Sequence, residues 1–416
     1  MCETSLRENF YPLTYFRPAA DLFFGTQTLL SKIQNKTDTP ITDIFVPAYL
    51  KGLTREIHPK IAVNEHIAQK CVVINPLISS NEEIWSFFQN ALKEQGQFLV
   101  IDSFGNLVFG HLDEAEPNLL GKSIKPRRGI KIIQIPEKLD NECLIRYPWD
   151  LVSRNSSEIM LNISQKKDFR RDAPSFEVRG KNFSISETSD IERFVTIDSR
   201  NGPVIVDDEA EIQSFSHLTG PCYIGKKTRV KSAKIRSGTS VGDNCRVSGE
   251  IEATIFSEFS NKSHDGFLGH SLVGSWVNLG ALTSNSDLKN TYGKIKANLG
   301  RKVVETGLTK VGVTIGDMAK TAIGTLVMSG KIIGNGAHVF GVVLEDVPSF
   351  TMYAKSYGAK SAEIDEDSTI ATQKRMMERR GLTMSAEMQS LIRSVYKMTK
   401  GERAIQRVAK RRFSLS

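Results

Sequence analysis

The 416-residue chain has no apolar run long enough to span a bilayer, and Met1–Phe10 is too polar for a signal peptide. A soluble, cytoplasmic protein with no membrane partner is the expectation. Cysteine is sparse as well: Cys2, Cys71, Cys143, Cys222 and Cys245 are scattered, odd in number and without paired spacing. That argues against a disulfide framework and against a zinc site, and no residue is nominated as a metal ligand. Acidic residues run short only near the end of the chain. From Lys374 onward there are twelve Lys/Arg against three Glu, so the formal net charge of +8 belongs to the tail and the body is close to neutral.

The two common periodicities are also missing from the 200–350 region. An amphipathic helix needs apolar spacings of three and four, and a half-buried strand needs alternation. Here apolar residues recur in steps of six, at Val206, Ile212, Leu218, Ile224 and Val230, then after a slip at Val241 and Val247, and later at Val273 and Leu279. Gly, Asp or Asn punctuates the tiles, as in GKKTRV, RSGTSV and GDNCRV. Short strands joined by turns fit this step, each coil burying its apolar side only by stacking on its neighbours. Cys222 and Cys245 fall within tiles and read as small core or turn residues. The tiles resemble the hexapeptide repeat of left-handed parallel β-helices, the fold of a large acyltransferase superfamily. That resemblance implies a homotrimer with acyl-CoA sites between subunits.

One polar, irregular stretch, Ser257–Asn290, interrupts the beat, as a site mounted on a rigid frame would. Tyr292 to Leu308 then leaves the six-beat and is expected to project as a loop over that site.

Residues 1 to about 185 have another texture. Val72–Asn75 and Phe98–Ile101 read as strands, with a helix between them capped by Ser80 and carrying Ile84, Phe87, Phe88, Ala91 and Leu92 on one face. Strand, helix, strand predicts a βαβ unit of a parallel sheet, and Asp102–Asn106 a hairpin turn into Leu107–Gly110. Polar segments between 150 and 190 (SRNSSE, DFRRDAPSFEVRG) read as a linker. The expected domains are 1–185, 186–350 and a helical basic tail at 351–416.

The opening Arg7-Glu-Asn-Phe-Tyr-Pro12-Leu-Thr-Tyr-Phe-Arg17-Pro18 is similar to the R-x-x-P-L-T-x-x-R-P-K segment of sugar-1-phosphate nucleotidyltransferases. The resemblance implies that Arg7 and Arg17 bind nucleotide phosphates, with magnesium in the displacement. The Gly-rich loop is missing, Ala19 stands where the lysine is expected, and Asn75 stands where the family holds a metal-binding aspartate. A variant branch shares this truncated opening and Tyr147-Pro-Trp-Asp150. A slow or inactive N-terminal domain is therefore expected.

The whole chain resembles the bifunctional family that makes UDP-N-acetylglucosamine, an N-terminal pyrophosphorylase joined to a β-helical glucosamine-1-phosphate acetyltransferase. The match is strongest over His264-Asp-Gly-Phe-Leu-Gly269 and Val-Gly-x-x-Val-Asn278-Leu-Gly-Ala281. An amine attacking a thioester must lose a proton, and a histidine with an ordinary pKa of about 6.5 suits a general base. By resemblance His264 is that base, Glu250 the carboxylate that orients it, and the Ala281 N–H the oxyanion donor. Asn278 contacts the sugar, Phe267 replaces a family tyrosine, and Glu252 stands where the family has a lysine. Asn285 and Lys289 are further substrate-binding candidates, Lys289 for the sugar phosphate. His270, on the same coil side, reads as structural or supporting.

In the tail, Met388, Leu391, Ile392, Val395 and Tyr396 form a helical stripe. It reads as a cap on the prism, as arginines for the phosphates of coenzyme A, or as a polyanion (nucleic acid) surface. The expected function is nucleotide-sugar biosynthesis: acetyl-CoA-dependent N-acylation of an amino-sugar phosphate, with a nucleoside triphosphate for the N-terminal domain. Alternatives are an acyltransferase with an inactive N-terminal domain, and a non-catalytic trimeric scaffold with polyanion-binding tails.

Overall fold

The computed structural model describes residues 1–37, 39–115, 129–162, 169–170, 176–300 and 302–414. The chain divides into two compact units, one of Met1–Leu22, Gln27–Tyr147 and Ala386–Leu391, the other of Phe23–Thr26, Pro148–Ser385 and Ile392–Ser416. The long run of the second unit begins at Pro148.

In the first unit, strands Cys71–Ile74, Leu107–Leu112, Phe98–Ile101 and Lys131–Gln134 lie side by side in that order. The predicted strand–helix–strand is present, but its two strands are not neighbours. The return strand of the hairpin, Leu107–Leu112, inserts between them and runs antiparallel to both. The intervening helix is Glu82–Ala91, and its cap is Asn81, whose side chain accepts from the Glu83 N–H, not Ser80. Ile84, Phe88 and Ala91 face the core as expected, joined by Trp85. The hairpin turn is built on Asp102, a fully buried carboxylate that accepts from Phe104 N, Asn106 N and Arg146.

The second unit is a parallel β-helix. Strands of successive coils stack in register, for example Val204–Val206 on Cys222–Ile224 and that on Thr239–Val241. Every predicted anchor from Val206 to Leu279 is at most 2% exposed. The six-step thus became three inward-facing sides per coil. The turns need a left-handed backbone, found at Asn244 (φ 57°) and His270 (φ 49°), and asparagine tolerates it better than most residues. Cys222 and Cys245 are in the core, and burial pushes both thiols up.

Residues Ser153–Glu158 are not linker. They belong to a helix, Pro148–Asn162, started by a proline in its first turn. Within this unit the helix is tied to the prism by the fully buried Asn155, which donates to Gly238 O (2.8 Å) and Ser240 Oγ (2.9 Å) and accepts from Gly25 N (2.8 Å). Of the rest of the expected linker, 163–168 and 171–175 lie outside the described residues, and Glu177–Arg179 and Phe183–Ser186 already stack on Thr196–Asp198 and Val204–Val206 of the prism.

The tail is no separate body. Strand Thr351–Tyr353 still stacks on the prism, beyond the expected end of the repeat. Helices Glu366–Glu378, Ala386–Met398 and Lys400–Ile405 follow. Leu391, Ile392 and Val395 of the predicted stripe are buried. Tyr396 packs edge-on against Phe350 of the last coil, with the Arg403 guanidinium 4.4 Å from its ring centre. Arg403 is itself buried and 3.3 Å from Glu363. Arg393 makes surface ion pairs with Glu366 and Asp367. Of the three tail readings, the prism cap fits these contacts. No helix among the described residues is long and apolar enough to cross a membrane.

Candidate active site on the prism

One side of the prism carries Lys234, Glu250 and Phe267 in register on successive coils. Below them the Phe267 N–H donates to Ser284 Oγ, and Ser284 is in register with Leu326 and Val342. One edge of this side is the turn holding His264. The other is the turn holding His270, four residues of extended chain beyond Gly266, or roughly 13 Å.

At the first edge, His264 is exposed and its ring has no hydrogen-bond partner among the described residues. Its backbone is fixed. The carbonyl of His264 accepts from Lys262 Nζ at 2.9 Å, and Leu282 N donates to Asp265 O at 2.9 Å. Lys262 is 1% exposed and also donates to Ser248 O at 3.2 Å. Burial lowers its pKa to about 8, against the opposing charge of Asp265. Ala281 lies in the coil below this corner, and its carbonyl accepts from Gly324 N. Its N–H has no partner among the described residues, whereas the adjacent Gly280 N–H is bonded to Thr321. An open backbone donor is what an oxyanion requires. Asn278 is exposed on the neighbouring side, in register with Asn261 and Lys320.

Three of the expected assignments change. Glu250 does not orient His264, because its carboxylate is held by Arg236 Nε at 2.5 Å, one coil earlier. Asn285 is 5% exposed and serves the backbone, accepting from Gly269 N (2.8 Å) and donating to Gly269 O (3.0 Å). It has no amide left to offer a substrate. Lys289 Nζ donates to Lys294 O at 2.7 Å, inside the segment that follows. That segment is an antiparallel hairpin, Lys296–Leu299 against Lys302–Glu305, rooted by the Leu288–Lys310 bridge. Asn298 bonds Asp346 at 2.7 Å, toward later coils.

The second edge holds a pair formed by His270, read from the sequence as structural or supporting, and Asp287. His270 Nδ1 lies 2.7 Å from Asp287 Oδ2, one coil apart. Phe267 and Asp287 both crowd Gly269: a side chain there would meet the Phe267 ring at 2.5 Å and Asp287 Oδ2 at 2.6 Å. Burial pushes the Asp287 carboxyl up, but the His270 hydrogen bond and the charges of His270 and Lys310 outweigh it and hold it below its ordinary range. Lys310 also stands 3.6 Å from Glu252, at the root of the hairpin. The visible signal for the pair was a histidine and an aspartate at equivalent tile positions of successive coils.

In the N-terminal unit the phosphate candidates are inside the fold. Arg7 is 4% exposed, paired with Glu3 at 2.8 Å, bonded to Tyr11 OH at 3.0 Å and donating to the Thr14 carbonyl. Arg17 is 7% exposed, and Ala19 is fully buried with its N–H on Glu3. Neither arginine presents an open guanidinium to a nucleotide here. Asn75, at the family's metal position, is fully buried, with its amide spent on Leu107 O and Leu77 N. No carboxylate stands there, so these residues do not fit a magnesium ion. Among the described residues no three or more His, Cys, Asp or Glu gather as metal ligands.

Residues 1–168 match the family model described as Sugar nucleotidyl transferase. The bifunctional sugar-1-phosphate nucleotidylyltransferase/acetyltransferase of Sulfurisphaera tokodaii is 30% identical over 159 residues, 35% of this chain and 38% of that protein. The bifunctional protein GlmU of Jannaschia sp. is 30% identical over 129 residues, 30% of this chain and 28% of that protein. The matches thus span well under half the length of these curated relatives. Among solved structures, a UDP-N-acetylglucosamine acyltransferase from Campylobacter jejuni is 12% identical over 53% of this chain and 94% of that one. Its TM-score of 0.21 is too low to carry an argument.

Proposed function

We propose, from the match of residues 1–168 to the family model described as Sugar nucleotidyl transferase, that the chain acts in nucleotide-sugar biosynthesis, with its β-helix transferring an acyl group from acetyl-CoA to an amino-sugar phosphate. The observation that carries this reading is the open Ala281 N–H beneath the His264 corner of a hexapeptide prism. A thioester carbonyl seated there would have a fixed donor for its developing oxyanion. His264 and Asn278 would contact the acceptor sugar, and Phe267 would wall the side between the two edges.

The reading includes a homotrimer. The lower part of the same prism side is apolar and exposed: Leu282 60%, Ile323 75%, Leu326 44% and Leu344 65%. Leu282 adjoins the His264 corner through its N–H to Asp265 O, and a second copy of the chain covering this surface would bring its own surface to the site. The family fold of residues 1–168 favours a nucleotide-sugar context, but Arg7 and Arg17 lie inside it, so acyl transfer is assigned as the principal chemistry.

The test is coenzyme A release from acetyl-CoA with glucosamine-1-phosphate and other amino-sugar phosphates, alongside pyrophosphate release with nucleoside triphosphates. Acceptor-dependent thiol release is expected. Its absence for every acceptor, with folded protein, would overturn the reading and favour a scaffold.

A further inference from the structure

We propose that Arg229, Arg246 and Arg380 form a binding site for a diphosphate group, on the side of the prism that carries Asn278. The site itself stands apart from acyl transfer; only the kinetic arm of its test rests on that reading.

Successive coils of this side place Asp190, Glu211, Arg229, Arg246, Asn261 and Asn278 in register. Neighbouring strands lie about 4.8 Å apart, so the two arginines stand side by side. Like charges set directly opposite one another are destabilising. Arg380 adds a third cation from the tail. Its Nη2 donates to Asn261 Oδ1 at 2.8 Å, and burial together with the charges of Arg246 and Arg229 lowers its pKa. Among the described residues only Glu211, 2.9 Å from Arg229, pairs with any of the three. Arg246 Nε is buried and has no hydrogen-bond partner among the described residues. A buried donor without an acceptor is costly, and an anion seated here would supply the acceptor.

The packing of the tail helix brings Arg380 to this place. Thr369 of helix Glu366–Glu378 lies against Gly336, where a side chain would meet its methyl at 3.4 Å. From Thr369 to Arg380 the chain rises roughly 16 Å as helix. The turns of Gly336, Met318, Trp276 and Phe259 are joined one to the next by backbone bonds, three coil steps or roughly 14 Å. The helix therefore runs along the prism. Its C-terminal end, which favours cations, meets the coils of Arg246 and Asn261.

The neighbours of the three arginines set the size of the ligand. Toward the start of the chain the column turns acidic, at Glu211 and Asp190, and in the other direction it continues as the amides Asn261 and Asn278. A nucleic-acid strand following the column would have to pass two carboxylates. A diphosphate fits within one coil step, and guanidinium groups grip phosphate oxygens in pairs. The amides beyond it suit the hydroxyls of whatever the diphosphate carries. Asn278 is two coil steps from Arg246, or roughly 10 Å. Two ligands offer this chemistry: an amino sugar linked to a nucleoside diphosphate, and coenzyme A.

The experiment is isothermal titration calorimetry with inorganic pyrophosphate, and with sulfate as control anion, on wild type, Arg246→Ala, Arg380→Ala and Arg375→Ala. Arg375 is an exposed arginine of the same helix, bonded to Thr372, and thermal unfolding checks that each variant folds. Arg246→Ala and Arg380→Ala should each weaken pyrophosphate binding by about 10–100-fold, the usual loss for a charge-assisted hydrogen bond. Arg375→Ala should leave it unchanged, and sulfate should bind more weakly than pyrophosphate. Pyrophosphate binding unchanged in both Arg246→Ala and Arg380→Ala would place the anion elsewhere and overturn the site. An equal loss in Arg375→Ala would overturn it too, leaving only general attraction to a basic tail. Coenzyme A release then separates the two carriers. If Arg246→Ala raises KM for UDP-glucosamine alone, the diphosphate belongs to the acceptor; if for acetyl-CoA alone, it belongs to coenzyme A. A wild type without acyl transfer would overturn the acyl-transfer reading and leave the pyrophosphate titration to decide the site.

Discussion

Lys262 lies inside the prism with its ammonium nitrogen 2.9 Å from the carbonyl oxygen of His264. Its partners are backbone carbonyls, so a buried cation is held without a salt bridge to a carboxylate. The energetic consequence is a pH dependence. In the unfolded chain a lysine keeps its proton to about 10.4, whereas the folded pKa is about 8. Between those values the unfolded chain binds more protons, so folding stability rises with pH. Wild type should gain about 2 kcal/mol from this residue between pH 7.5 and 10, and Lys262→Met should lack that gain. Urea unfolding of the two proteins at both pH values checks it. A constant difference between them would mean that Lys262 is not neutralised in the fold.

Asn285→Ala should destabilise the protein by about 2–3 kcal/mol, because it strips a partner from both the N–H and the C=O of buried Gly269. The residue is read as a strand clamp and not as a substrate ligand. A variant of unchanged melting temperature that only raised acceptor KM would restore the binding role.

Arg7→Met leaves the Glu3 carboxyl buried without its guanidinium and should cost about 3–5 kcal/mol. Glu3→Gln combined with Arg7→Met should recover a large part of the loss, since neither charge is then stranded. Differential scanning calorimetry measures both. If Arg7→Met left stability intact and weakened nucleotide triphosphate binding alone, the arginine would be serving phosphate after all.

Charges placed on the apolar part of the prism side should prevent self-association. Wild type is expected to sediment as a trimer at micromolar concentration, and Leu326→Asp with Leu344→Asp as a monomer. Both leucines are already solvent-exposed in the single chain, at 44% and 65%, so the variant should keep its fold. A wild-type monomer in sedimentation equilibrium would remove the second copy from the proposed site.

The step of six was enough to specify the β-helix and its core. Each anchor from Val206 to Leu279 points inward for a reason contained in the period itself, and a residue at that phase is buried whatever its distant neighbours are. The strand, helix and hairpin of the first unit were legible for the same local reason. Local pattern did not reveal that the hairpin strand would slide between the two others, because that depends on which edge is left to pair. Nor could it say that Ser153–Glu158 is helical, since a polar segment with Asn155 as its buried tie shows little apolar period. At the candidate site the residue types were visible and their partners were not. Glu250 reaches back to Arg236, His270 down to Asp287, Asn285 to Gly269 and Lys310 across to Glu252. Each of these bonds joins successive coils or crosses the root of the hairpin. Whether a polar side chain is spent internally or left open is fixed by the register of the stack, and that register exists only once the coils have closed on one another.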